Sequence, residues 1–111
     1  MSEGPTLDVG EEELRLLSSI LHQHVPGRAV WAFGSRTTGR AKPYSDLDLA
    51  VMGDVPLSLD TRAALNDALA QSDLPWKVDV VDWANTGSAF REIIKRDRVV
   101  VQVEASTAKA G

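Results

Sequence analysis

The chain contains no cysteine, so neither a disulfide framework nor a thiolate-held metal can organise it. No apolar run is long enough to span a bilayer, and residues 1–10 lack the charged-then-apolar pattern of a secretory leader. A cytoplasmic protein with no membrane partner is therefore expected. Positive charge is also scarce, with 12 Lys and Arg against 16 Asp and Glu for a net charge of −4. The electrostatic footprint of a free-standing nucleic-acid binder is missing, and no direct contact with nucleic acid is expected. Aromatic residues make up only 5% of the chain; Trp31, Trp76 and Trp83 read as apolar mass for the core or a partner, since none sits at a spacing that argues for base stacking. There is no internal repeat.

What is present suits one small globular domain: 111 residues, 43% apolar and 25% charged, with no length left for a second domain. We expect that domain over residues 1–104 and a disordered tail over residues 105–111, which has nothing to pack with. Asp8 followed by Glu11 reads as a capping box, and Leu14, Leu17 and Leu21, flanked by Leu16 and Ile20, form the stripe of a first helix that Pro26-Gly27 ends. His22 and His24 are two apart, a spacing that splays them around the helix, so they read as surface histidines. Leu57 to Gln71 carries Ala64, Leu65, Ala68 and Leu69 at helical spacing, with Ser58 or Asp60 as cap. Phe90, Ile93 and Ile94 mark a last helix, and Val99 to Val103 a last strand. The order is α-β-turn-β-α-β-α-β, an α/β (α+β) arrangement of one small mixed sheet with helices packed on it.

Val30 to Met52 carries the chemistry. The apolar run Val30-Trp31-Ala32-Phe33 stops at Gly34-Ser35, a small-residue pair that lets backbone N–H groups approach an anion. Ten residues separate Ser35 from Asp46. Asp46-Leu47-Asp48-Leu49-Ala50-Val51 then alternates with period two, so both carboxylates share one strand face and Leu47, Leu49 and Val51 take the other. Val78-Asp79-Val80 repeats the pattern and brings out a third carboxylate. Asp82, three residues beyond Asp79, belongs to the opposite face. Gly34 to Gly39 also fits G-x-x-x-x-G, but Arg40-Ala41 stands where a P-loop needs Lys and Ser or Thr, and Pro43 comes too early for the long helix that must follow. Taken one at a time, these pieces also fit a plain turn and a solvated strand face.

Taken together, G-S, ten residues, D-x-D and a later Asp resemble the DNA polymerase β-like nucleotidyltransferase superfamily. More narrowly, G-S-R-T-T-G-R-A-K-P-Y-S-D-L-D-L-A-V, V-D-V-V-D-W and F-R-E-I-I are similar to the minimal nucleotidyltransferases, or MNT proteins, often paired with a helical HEPN or substrate-binding protein. The resemblance implies a nucleotidyltransferase fold and ATP as substrate. It implies two Mg²⁺ ions held by Asp46, Asp48 and Asp79, the last of these able to take the acceptor's proton. Gly34 and Ser35 would grip the β- and γ-phosphates, with Arg36 next in line for the triphosphate. Arg40 and Lys42 could screen phosphate charge, but their setting in a Gly/Pro loop makes them solvated residues by default. For MNT antitoxins the family activity is transfer of AMP to a tyrosine of the HEPN partner, a toxin ribonuclease. So short a chain has little with which to build an acceptor pocket, so a partner assembly, built in one version on a homodimer, is expected. Transfer to a small molecule such as an aminoglycoside, and neutralisation by binding alone, are the alternatives.

Overall fold

A computed structural model describes residues 6–104; the expected tail lies outside them. Four strands, β1 (Val30–Phe33), β2 (Leu47–Val51), β3 (Val78–Asp82) and β4 (Val99–Gln102), form one sheet in the order β3-β2-β1-β4. β1 runs antiparallel to β2 and β4, and β2 parallel to β3, so the sheet is mixed as expected, with an order that alternation alone leaves open. The helices are α1 (Glu11–His24), the single-turn α2 (Ser35–Thr38), α3 (Leu59–Gln71) and α4 (Ser88–Asp97). A 3₁₀ turn at Trp83–Asn85 leads from β3 toward α4. Among the described residues no helix is long and apolar enough to cross a membrane.

The period-two pattern of the central strands decides what each sheet face meets. Leu47, Leu49 and Val51 join Val30, Ala32 and Val80 in a core with Leu17 and Leu21 of α1 and Leu65 and Leu69 of α3. Leu17, Leu21, Leu47, Leu49 and Leu65 are fully buried, each contributing about 2 kcal/mol of transfer free energy. The opposite face carries Trp31, Phe33, Ala50 and Val81 and is covered by Ile94 of α4. Asp48 and Asp79 stand on this second face, two residues before Ala50 and Val81 on their strands.

Three local expectations change. α1 is capped by Gly10 with no side-chain hydrogen bond, so the Asp8–Glu11 capping box does not form. Glu11, Glu12 and Glu13 instead place negative charge in the first turn, where the helix dipole favours it. Asp8 is engaged elsewhere: its N–H donates to the Arg36 carbonyl (2.7 Å) and its own carbonyl accepts from Arg36 Nη1 (3.0 Å). The stripe of α1 is rotated toward Leu17 and Leu21, which leaves Leu14 exposed. Of the apolar stripe of α4 Ile94 is buried, while Phe90 and Ile93 are exposed. At α3 the cap is Ser58, whose hydroxyl accepts from Thr61 N–H at 3.1 Å.

Candidate active site

Asp48 lies opposite Phe33 on β1 and Asp79 on β3. That register places it between the end of β1, where Gly34 follows, and the third carboxylate. Gly34 has φ 87° and ψ −153°, a conformation closed to residues with a side chain. A Cβ there would also collide with Asp48 Oδ2. The glycine is thus required twice, by its backbone and by the closeness of the carboxylate. Gly34→Val is expected to remove nucleotide binding and lower thermal stability together, whereas Ser35→Ala should raise the apparent KM for ATP with little change in melting temperature. Thermal melts beside kinetics at several ATP concentrations check both.

Asp46 precedes β2 by one residue and is exposed; Asp48 and Asp79 are half-buried. Burial, followed by the charges of Asp79 and then Asp46, pushes the Asp48 carboxyl up from 3.8 to about 6. The three acids predicted from the sequence are therefore close enough to repel one another. Clustered carboxylates with hard oxygen donors are the chemistry that a divalent cation neutralises, and the donor set fits such an ion. Among the described residues no group of three His, Cys, Asp or Glu side chains stands in a finished metal-holding geometry. Asp79 Oδ1 is turned to Lys77 Nζ at 3.6 Å, an exposed and screened pair that a rotamer change would release.

Arg36 does not reach this site. It is 5% exposed, and its guanidinium donates from Nε to the Ser45 carbonyl (3.1 Å), from Nη1 to that of Asp8 (3.0 Å) and from Nη2 to those of Pro43 (3.1 Å) and Lys42 (3.4 Å). The same group lies 4.7 Å from the Trp76 ring centroid. The expectation that it would serve the triphosphate is corrected by this saturation, since a guanidinium with five donors spread over four carbonyls has little left for a phosphate. Its work is to tie down the loop between Ser35 and Asp46. Asp82 is likewise structural: it is buried, bonded to Arg62 Nη1 at 2.6 Å and to Leu57 N–H at 3.1 Å, so it secures the entry to α3. The tryptophans are partly covered by the chain's own arginines, Arg98 over Trp31 and Arg91 over Trp83.

Beside Gly34 opens a cleft of about 530 Å³ lined by Gly34, Ser35, Thr38, Arg40, Arg96 and Asp97. Because Gly34 touches both this cleft and Asp48, a space bordered by cations joins a cluster of acids at one residue. A metal-bound polyanion has that division of charge.

Residues 16–105 match the family model described as polymerase beta, nucleotidyltransferase. The chain is 50% identical over 107 residues to the probable protein adenylyltransferase MntA of Haemophilus influenzae, covering 96% of this chain and 94% of that protein. Among solved structures, a chain of a toxin–antitoxin complex with AMP-PNP superposes with a TM-score of 0.69 at 22% identity, over 87% of this chain and 78% of that one. A chain from the complex of a tri-AMPylated Shewanella oneidensis HEPN toxin with an MNT antitoxin does so with a TM-score of 0.64 at 21% identity, over 90% and 77%. At those identities the structural likeness is one of fold.

Proposed function

The chain belongs to the polymerase β nucleotidyltransferase family, and from that premise we propose that it transfers AMP from ATP to a tyrosine hydroxyl of a small helical HEPN-type partner, as the antitoxin of a toxin–antitoxin pair. The observation that carries this reading is the convergence of Asp46 and Asp79 on Asp48, which presses against Gly34 at the mouth of the cation-bordered cleft. The MntA relative supports the choice of a protein acceptor, and the toxin–antitoxin complexes that share the fold, one of them with a HEPN toxin, support the choice of a HEPN partner.

Asp46, Asp48 and Asp79 would hold two Mg²⁺ ions, which when bound supply charge neutralisation at the α-phosphate and lower the pKa of the acceptor hydroxyl. The chain's own residues do the rest. The Gly34 backbone and Ser35 hold the β- and γ-phosphates, so that the bond from the α-phosphorus to its leaving oxygen lies in line with the incoming hydroxyl. Asp79 is on the edge strand β3, separated by β2 from the strand that leads into Gly34, so its carboxylate takes the phenolic proton. The tyrosine oxygen bonds to the α-phosphorus and pyrophosphate departs.

Incubation with Mg²⁺ and ATP labelled at either the α- or the γ-phosphate, with and without the helical partner, tests the reading. Label from the α-position should appear on the partner and label from the γ-position should not. Transfer of γ-label would make the protein a kinase. No transfer to a partner that is nonetheless silenced would leave neutralisation by binding alone.

A further inference from the structure

The cleft beside Gly34 is also lined by residues outside the Gly-Ser turn. Arg40 follows α2, and Arg96 and Asp97 end α4. Arg96 donates from Nε to Asp97 Oδ1 at 2.9 Å and from Nη2 to Asp97 Oδ2 at 3.4 Å. Its Nη1 has no acceptor among the described residues, and the Arg40 guanidinium has no ion-pair partner among them. The Arg96 side chain is 70% exposed, whereas that of Asp97 is only 11% exposed. An exposed arginine ordinarily samples many rotamers; this one is held at both ends of its fork by a carboxylate that cannot move away.

Asp97 is badly placed for its own helix. It is the last residue of α4, where the helix dipole disfavours negative charge, and burying an ion carries a further cost. Neither cost is offset by a cap or by a second partner among the described residues. What the carboxylate does achieve is a fixed guanidinium in the cleft that Gly34 and Ser35 also line. Its own two oxygens, which would otherwise repel an anion in the cleft, are both covered by Arg96.

We propose that Arg96, held in place by Asp97 and joined by Arg40, grips the terminal phosphates of the nucleotide in the cleft that Gly34 and Ser35 also line. The inference rests on the adenylyl-transfer reading and adds to it the residues that favour a triphosphate over a monophosphate. Arg96 and Arg40 contact the substrate; Asp97 is a positioning residue that acts through Arg96.

The test is calorimetric titration of the intact protein with ATP and with AMP, in Mg²⁺, for the wild type, Arg40→Gln, Arg96→Gln, Arg96→Lys, Asp97→Asn and the double variant Arg96→Gln/Asp97→Asn. The wild type should bind ATP more tightly than AMP. Each glutamine variant should lose about tenfold in ATP affinity, as expected for one charge-assisted contact, with AMP affinity unchanged. Arg96→Lys should not restore it, because an ammonium lacks the planar fork that both Asp97 oxygens need. Since Arg96→Gln also uncovers a carboxylate in the cleft, the double variant should bind ATP better than Arg96→Gln alone. Asp97→Asn alone should lower ATP affinity with Arg96 still in place, a loss that a merely structural Asp97 would not produce. Arg40 and Arg96 are exposed, so their variants remain informative even if Asp97→Asn folds poorly. If the wild type prefers ATP while Arg40→Gln and Arg96→Gln keep its full ATP affinity, the inference is overturned and the transferase reading stands. A wild type that binds no nucleotide overturns both.

Discussion

Asp48→Asn is expected to reduce AMP transfer by about 10³-fold or more, since the charge stabilisation given by a bound metal amounts to several kcal/mol and each 1.4 kcal/mol is a factor of ten. The same substitution should make the metal-free protein more stable. In the folded state the carboxyl is pushed up from 3.8 to about 6, by burial first and then by Asp79 and Asp46, so the native state binds its proton more tightly than the unfolded chain does. Its contribution to stability is then fully present below about pH 4 and is lost as pH rises through about 6. At pH 7 the ionised group costs the fold about 1 kcal/mol, partial exposure to solvent softening the penalty. Asn carries no such charge. Thermal melts from pH 4 to 8 should therefore show a decline for the wild type that the variant lacks, and Mg²⁺ should raise the melting temperature of the wild type alone. A variant that loses cooperative unfolding would return Asp48 to a structural role.

The second large effect is expected at Arg36. Arg36→Ala would leave the carbonyls of Asp8, Lys42, Pro43 and Ser45 without their donor and remove the contact with Trp76. Losing a buried network of this kind costs about 3 kcal/mol, or roughly 15 °C for a domain of this size. The loop it ties down ends at Asp46, so activity should fall with stability, and at a temperature where the variant is folded the KM for ATP should change little. A phosphate-binding Arg36 would give the opposite pattern, a raised KM on an unchanged melting curve.

Arg36 also marks where reading the sequence stops. Asp46, Asp48 and Asp79 are legible because a strand's period of two places them by arithmetic, and Gly34 because a glycine after a buried strand has few other uses. The register sets Asp48 beside Asp79, while Asp46, expected to share a strand face with Asp48, falls just outside β2. Arg36 sits next to the turn and looks like part of it, but its acceptors are backbone carbonyls, which have no signature in the residue types. The Asp8 cap fails for a related reason: the backbone of Asp8 is committed to Arg36, 28 residues away. Arg62 with Asp82, and Arg40 and Arg96 in one cleft, are brought together only by the fold. Arg96 next to Asp97 reads in the sequence as an ordinary charge run at a helix end. Only the burial of one and the exposure of the other set it apart.

The most direct measurement is the intact mass of the helical partner, co-purified with this protein and then given ATP and Mg²⁺, with Asp48→Asn run in parallel. The account requires the partner to gain one or more whole AMP units in the wild-type complex and none in the variant complex. A partner that stays unmodified in the wild-type complex, or one that gains AMP equally with Asp48→Asn, would contradict it.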